Sequence, residues 1–205
     1  MQSRLWRVLV PAAVVATAFT PARAQTICDQ LLPIGVVAPP GGGFAVGCAN
    51  RYVLRPAASP GQFAEFTWLV YPTCGAGPCA GLAWPQSFVC EATAGYACCV
   101  SVPQSIPMAV GNLSGPLRSG LSQRIADDTD ARPDICFAEY VGNGSRLCNV
   151  PVIEPVGNGQ TLVQVVGFAR MFIVGVPTTI ILVEAVGGPT PARGTSWGQT
   201  KVLYR

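Results

Sequence analysis

Arg146-Leu-Cys-Asn-Val-Pro-Val-Ile153 and Thr161-Leu-Val-Gln-Val-Val-Gly-Phe-Ala-Arg-Met-Phe-Ile-Val174 are the two stretches that decide the fold. Both are rich in β-branched and aromatic residues and are bounded by turn chemistry, so both read as strands. Val-Gly-Asn-Gly precedes the first, at 141–144, and separates the two, at 156–159. Glycine adopts positive φ at little cost and asparagine tolerates it, so the tetrapeptide favours turns. Gly142, Asn143, Gly144, Gly157, Asn158 and Gly159 are therefore candidate turn-setting residues. The two copies read as recurring hairpin chemistry rather than an internal repeat.

Working outward, strands are expected at Ile135–Val141, Thr178–Val186 and Thr200–Tyr204, and upstream at Gln62–Tyr71. Phe88–Val102 reads as one or two short strands carrying three cysteines. The helix candidate is Pro116–Ala126, where Leu117, Leu121 and Ile125 recur at i, i+4 and i+8 on one face. Ser114 or Gly115 can cap it, and Pro116 suits its first turn. Gly111, Gly115 and Pro116 thus shape the start of the helix. Arg118 and Arg124 fall off the apolar stripe and are expected in solvent. The expectation is a mainly β (α+β) fold: an antiparallel, sandwich-like sheet with one short helix, braced by disulfides. Residues 25–59 form a Pro/Gly/Cys-rich N-terminal segment, and residues 60–205 the β-rich domain.

The chain has nine cysteines and no histidine. Residues 1–24 read as a cleavable export signal. Arg4 and Arg7 precede an apolar run, and Ala22-Arg23-Ala24 is a cleavage site. The run is short for a membrane span. The formal charge of +3 resides in Arg4, Arg7 and Arg23, so the remainder is neutral overall. That excludes the electrostatic footprint of a nucleic-acid or anionic-membrane binder. The longest later apolar run, Val163–Val176, is broken by Gly167, Arg170 and Gly175, so the mature chain carries no membrane span. The expected location is exported: periplasm, cell surface or extracellular.

In such a compartment Cys28, Cys48, Cys74, Cys79, Cys90, Cys98, Cys99, Cys136 and Cys148 are disulfide candidates. No C-x-x-C pair suggests zinc. Cys74-Gly-Ala-Gly-Pro-Cys79 is a loop that a local disulfide could close. Cys98 and Cys99 are adjacent, point to opposite faces of a strand and need different partners. A tight turn at Asn143-Gly144 would offset Cys136 from Cys148 too far for pairing, whereas a longer, shifted loop would not. The count is odd, so one thiol is either buried and inert or free for an intermolecular bridge.

Without histidine there is no Ser-His-Asp or Cys-His arrangement. A carboxylate pair could cleave a glycosidic bond. Its candidates are Asp127, Asp128, Asp130, Asp134, Glu139, Glu154 and Glu184, with no means of choosing among them. Asp128, Asp130 and Glu139 fall at positions 1, 3 and 12 of an EF-hand-like spacing, but Pro133 stands where the loop needs glycine. The motif is broken, leaving a cation site of other geometry against a solvated acidic loop. No catalytic residue and no cofactor is assigned. The aromatics Trp68, Trp84, Tyr96 and Trp197 are candidates for ring stacking in a carbohydrate- or peptide-binding module, against burial in the core.

Several motifs recur in order. Gly95-Tyr-Ala-Cys-Cys-Val-Ser-Val102 leads to Val110-Gly-Asn-Leu-Ser-Gly-Pro116, then Gly120-Leu-Ser-Gln-Arg124 and Asp128-Thr-Asp130. Tyr140-Val-Gly-Asn-Gly-Ser-Arg146, Val150-Pro-Val-Ile153 and Val165-Val-Gly-Phe-Ala169 follow. In order and spacing this resembles the C-terminal region of TadE/TadG-like (tight-adherence, Flp) pilus-assembly proteins of bacteria, over about residues 60–186. The resemblance implies an exported, non-enzymatic structural protein, with protein partners among pilus or envelope components or further copies of itself. The chain departs from the pattern at its start, where the family's long membrane anchor is replaced by the signal and the Cys/Gly/Pro-rich segment.

Overall fold

A computed structural model describes residues 25–38, 43–55, 66–155, 161–176 and 181–186. The elements in chain order are β1 (Thr26–Ile27), β2 (Ile34–Val36), β3 (Arg51–Leu54), β4 (Phe66–Trp68), α1 (Gln86–Ala94), β5 (Val100–Ser101), β6 (Gln104–Pro107), α2 (Ser114–Ala126), β7 (Leu147–Pro155), β8 (Leu162–Gly175) and β9 (Ile181–Ala185). The fold is mainly β and disulfide-braced. The strands expected at 146–153 and 161–174 form as β7 and β8, the central antiparallel pair.

β8 is long enough to serve two sets of neighbours. One edge pairs with β7; the other pairs first with β6 and then with β9. β9 pairs with β3, and β7 with β2 in parallel; β2 in turn pairs with β4. Past its end, β4 meets β6 again. Leu69 bridges Met108, Val70 N–H donates to the Pro107 carbonyl at 2.9 Å, and Ala109 N–H donates to that of Trp68 at 3.0 Å. The sheet therefore closes into a ring, β8–β7–β2–β4–β6, which leaves these five strands few unpaired backbone groups. The N-terminal segment is woven into this architecture through β1, β2 and β3, with β1 on β5 as a separate ribbon.

Strand alternation sorts the side chains. Ile34, Val36, Cys148, Val150 and Val152 face the helices, packing with Phe88, Ala92, Leu117 and Leu121. Ile153, Val163, Val165 and Phe168 turn the other way, to meet Leu69, Tyr96 and Ile106. A bulge opposite Val152/Ile153 shifts the phase of β8. Beyond it Ala169, Met171 and Ile173 face the helices, while Phe172 and Val174 form a small third cluster with Ile135.

Helix α2 confirms the Leu117/Leu121 stripe, with Ile125 partly buried. It begins at Ser114, whose N–H is accepted by the Asn112 side chain at 3.1 Å, and Pro116 lies in its first turn. Arg118 is exposed as expected. Arg124 is not: it is 3% exposed. Its guanidinium donates to the carbonyls of Ser145 (2.8 Å) and Leu147 (2.7 Å), and so fixes the start of β7.

Two expectations change. Within Phe88–Val102 a short strand forms as β5, but residues through Ala94 form α1, which starts after Pro85 and ends at Gly95 with φ +84°. Phe88 and Ala92, four residues apart, face the core. Ile135–Val141 is a 3-10 turn over Phe137–Glu139. Glu139 N–H bonds to the Cys136 carbonyl, Tyr140 N–H to that of Phe137 and Val141 N–H to the Asp130 carboxylate, so these donors are not available to a neighbouring strand. Gln62–Tyr71 is realised as β4 and Thr178–Val186 as β9, their first residues lying outside the described ones. The strand expected at Thr200–Tyr204, the signal at 1–24, and Gly157, Asn158 and Gly159 also lie outside them.

Four disulfides join Cys28–Cys99, Cys48–Cys136, Cys74–Cys98 and Cys79–Cys90. Cys98 and Cys99 have different partners, and Cys136 does not pair with Cys148. The local Cys74–Cys79 bridge does not form, because Cys79 is joined to α1 instead. The unpaired thiol is Cys148, buried between sheet and helices. Four disulfides fit an oxidising, exported environment. Among the described residues no helix is long and apolar enough to cross a membrane.

Candidate functional site

The acidic segment after α2 and the Val-Gly-Asn-Gly turn before β7 meet around Asp128 and Asp130, both buried. Asp128 Oδ1 accepts the N–H of Asp130 at 2.8 Å; its Oδ2 accepts the Tyr140 hydroxyl in a short hydrogen bond and the Arg146 N–H at 3.3 Å. Tyr140 Oη in turn accepts the N–H of Gly144 at 2.7 Å. Asp130 is gripped by Arg132 through Nε–Oδ1 (2.8 Å) and Nη2–Oδ2 (2.7 Å), and Oδ2 also accepts the Val141 N–H at 3.1 Å. The Arg132 hydrogen bonds hold the Asp130 carboxyl well below the usual carboxylate range. Burial and the bond to Asp128 push the Tyr140 hydroxyl up to about 12.

The glycines here are steric requirements. A Cβ on Gly142 would run into Asp128 Oδ1 and the Tyr140 ring, and Gly144 has φ +91°. Asn143 closes the loop from outside: its amide donates to the Asp127 carbonyl at 2.9 Å and its Oδ1 accepts the Ser145 N–H at 3.0 Å. The turn therefore exists, but it joins a 3-10 turn to a strand and folds over a buried carboxylate, rather than linking two strands. Arg146, 2% exposed, lies 5.5 Å from the Phe172 ring centre and donates to the Arg132 carbonyl at 3.2 Å.

The two carboxylates of this arrangement are satisfied, whereas Arg146 Nε is buried without a hydrogen-bond partner among the described residues. The lone pairs of both buried carboxylates point at internal donors, which is how polar groups are accommodated in a core. Glu139 is exposed and gives the cluster its backbone carbonyl, accepting from Arg132 Nη2 at 2.7 Å. Among the described residues no three His, Cys, Asp or Glu side chains converge as a metal site would require. Gly111 (φ +105°) stands in an exposed turn before α2 with open space around it, and Gly115 is exposed.

A carboxylate that the sequence reading passed over is Glu91. It lies on the buried side of α1 at 6% exposure, and burial raises its pKa to about 7. Together with burial, the larger cause, its charge raises the pKa of Tyr71 and Tyr96, whose rings stack at 4.4 Å and whose hydroxyls donate to the carbonyls of Leu32 (2.6 Å) and Pro72 (3.1 Å). Flanked by Cys90 in a run expected to be a strand, it gave no signal; only the helix turns it inward.

The four candidate stacking aromatics separate. Trp68 and Tyr96 are core residues, Trp197 lies outside the described residues, and Trp84 is 41% exposed. Trp84 sits in the segment closed by Cys79–Cys90, edge-on to Phe88 at 5.4 Å between ring centres. Leu82 (39%) and Val89 (37%) are exposed in the same closed segment. Comparison with family models, with curated proteins and with solved structures found no significant match to this chain.

Proposed function

We propose that the protein is an exported, non-enzymatic structural or interaction module of the bacterial cell envelope. The observation that carries this reading is the use made of its strongest polar motif. Asp128, Asp130, Arg132, Tyr140 and Arg146 bond to one another and to the backbone around them, leaving no acid–base pair open to a substrate. Glu91 is also enclosed, so the carboxylate-hydrolase reading gains no support from it. The ordered motifs at residues 94–170 favour a role in Tad-like pilus assembly or surface adhesion, with pilus or envelope proteins, or further copies of this chain, as partners. These same motifs build the 128–146 network, so any relative sharing them would share this fold-making core.

Deleting the gene in the source organism and counting surface pili and adherent cells tests the pilus role. Loss of pili restored by complementation is the expected result; normal pili would restrict the resemblance to fold. A second reading, a secreted binding module, is favoured by the exposed and braced position of Trp84.

A further inference from the structure

Among the four disulfides only Cys28–Cys99 joins two exposed residues. Cys74 and Cys79 are buried, and Cys48 and Cys136 are half-buried. A disulfide is opened by a thiolate that reaches one of its sulfurs, so access helps decide which bridge exchanges first. Exposed bridges are also the more easily reduced class.

This bridge closes a short ribbon. β1 pairs with β5 at Thr26–Ser101 and Ile27–Val100, and Cys28 and Cys99 follow as the next opposed pair. At the other end Val102 N–H donates to the Gln25 carbonyl at 2.8 Å, and the Thr26 and Ser101 hydroxyls share an exposed hydrogen bond at 2.9 Å. Two strands of this length are marginal on their own in water. Ile27 packs on the cluster of Leu31, Tyr96 and Val100, but is only partly buried there.

The chain on either side is held by other means. The Asn149 side-chain amide donates to the Asp29 carbonyl at 3.0 Å, and its backbone N–H to that of Gln30 at 3.0 Å. Tyr96 N–H donates to the Leu31 carbonyl at 2.8 Å, and Leu31 and Leu32 are buried. On the opposite strand Cys74–Cys98 ties down the residue before Cys99. Opening Cys28–Cys99 therefore loosens residues 25–28 and leaves the core anchored. β5 has no other strand partner among the described residues, so its edge is what β1 uncovers on leaving.

We propose that Cys28–Cys99 is a thiol–disulfide exchange site, and that its reduction by a dithiol releases β1 from β5 while the other three bridges stay closed. One thiolate of the dithiol attacks a sulfur of the bridge. A mixed disulfide forms, and the other cysteine leaves as a thiolate that takes a proton. The second thiol of the dithiol, once deprotonated, attacks the mixed disulfide. The reductant departs as its own disulfide, and Cys28 and Cys99 end as thiols, two electrons and two protons having passed to the protein. The site stands apart from both the pilus and the binding-module readings.

The test equilibrates the native disulfide-bonded protein at rising ratios of reduced to oxidised dithiothreitol, traps thiols by alkylation and maps them by peptide mass spectrometry. Cys28 and Cys99 should become alkylated together, at a ratio about tenfold or more below that needed for any other bridge. At that ratio the Val102 amide, which donates to Gln25, should exchange faster with deuterium, and the Tyr96 amide, which donates to Leu31, should not. The double variant Cys28→Ser/Cys99→Ser should show the fast Val102 exchange without reductant. Reduction of another bridge at the same ratio, alkylation of Cys74 or Cys98 in step with Cys99, or unchanged Val102 exchange once Cys28 and Cys99 are reduced would each overturn the proposal. These readouts are taken on the wild type, so they hold whether or not the double variant folds.

Discussion

Among the described residues no cation pairs with buried Glu91, and its titration is the most direct residue-scale consequence of the fold. Burial raises its folded pKa above the unfolded value of 4.5, to about 7. The neutral acid is therefore what the folded state accepts. Below pH 4.5 the group is protonated in both states and contributes nothing; as pH rises to about 7 the unfolded state gains from ionisation, and stability falls. Above pH 7 the penalty is at most on the order of 3 kcal/mol and is reduced by whatever water reaches the carboxyl. Tyr71 and Tyr96 have pKa values raised by burial and by the Glu91 charge, and stay neutral through this range. Thermal unfolding at pH 5 and pH 8 should show the wild type more stable at the lower pH by this mechanism. Glu91→Gln should remove most of that difference and stabilise the protein at pH 8; an unchanged pH profile would place the carboxyl in contact with water. Two glycines nearby in sequence fail for different reasons. Gly142→Ala should cost at least about 2 kcal/mol by driving a methyl into Asp128 and Tyr140. Gly144→Val, with open space around it, should cost about 1–3 kcal/mol through its positive φ alone. Chemical denaturation of the pair checks both values.

At the scale of elements, α2 is attached to the sheet by its apolar stripe and by Arg124. That side chain holds two carbonyls, Ser145 and Leu147, at the point where the loop becomes β7. Arg124→Ala should cost about 3 kcal/mol, since both carbonyls lose a charged donor. Arg124→Lys should recover only part of this, because one ammonium cannot reproduce the planar fork. Equal urea midpoints for wild type and Arg124→Ala would show that water replaces the guanidinium. Arg124 also marks where sequence reading stops. The periodicity that revealed Leu117 and Leu121 placed it off the stripe, and nothing in spacing shows that a neighbouring loop will offer carbonyls to it. β7 and β8 were legible because long β-branched runs between turn signals leave few alternatives. α1 was not, because its Phe, Val and Cys favour a strand locally, whereas Pro85, Gly95 and the Cys79 bridge impose the helix. The Asp128–Tyr140 contact joins residues whose roles depend on the loop closing, so the motif was visible and its purpose was not. The sequence offers Trp84 as one of four stacking candidates, and only burial separates it from Trp68 and Tyr96.

The whole molecule is held by ties of two ranges. Cys28–Cys99 and Cys48–Cys136 span 71 and 88 residues and fasten the N-terminal strands to the rest, whereas Cys74–Cys98 and Cys79–Cys90 span 24 and 11. In the chain-entropy account a 15-residue loop is worth about 3 kcal/mol and a 100-residue loop nearly 5. Removing Cys48–Cys136 should therefore lower stability more than removing Cys79–Cys90. The former also supports Arg51, whose guanidinium donates to the Asp134 carbonyl at 2.6 Å beside the bridge. Cys148 stands apart from this framework. Burial pushes its thiol up to about 11, so at neutral pH it is neither ionised nor reachable. The native protein, free of reductant, should present no thiol to a maleimide at pH 7 and one after denaturation, with the label on Cys148. Two or more labelled cysteines would break the proposed pairing scheme, and rapid native labelling of Cys148 would mean the sheet opens beneath α1 and α2. Cys148→Ala should retain the four bridges and lose the apolar contacts of the sulfur together with its S–H bond to the Met171 carbonyl at 3.5 Å. A folded, unlabelled Cys148→Ala protein would show that the odd cysteine belongs to the core and that the covalent framework is complete within one chain.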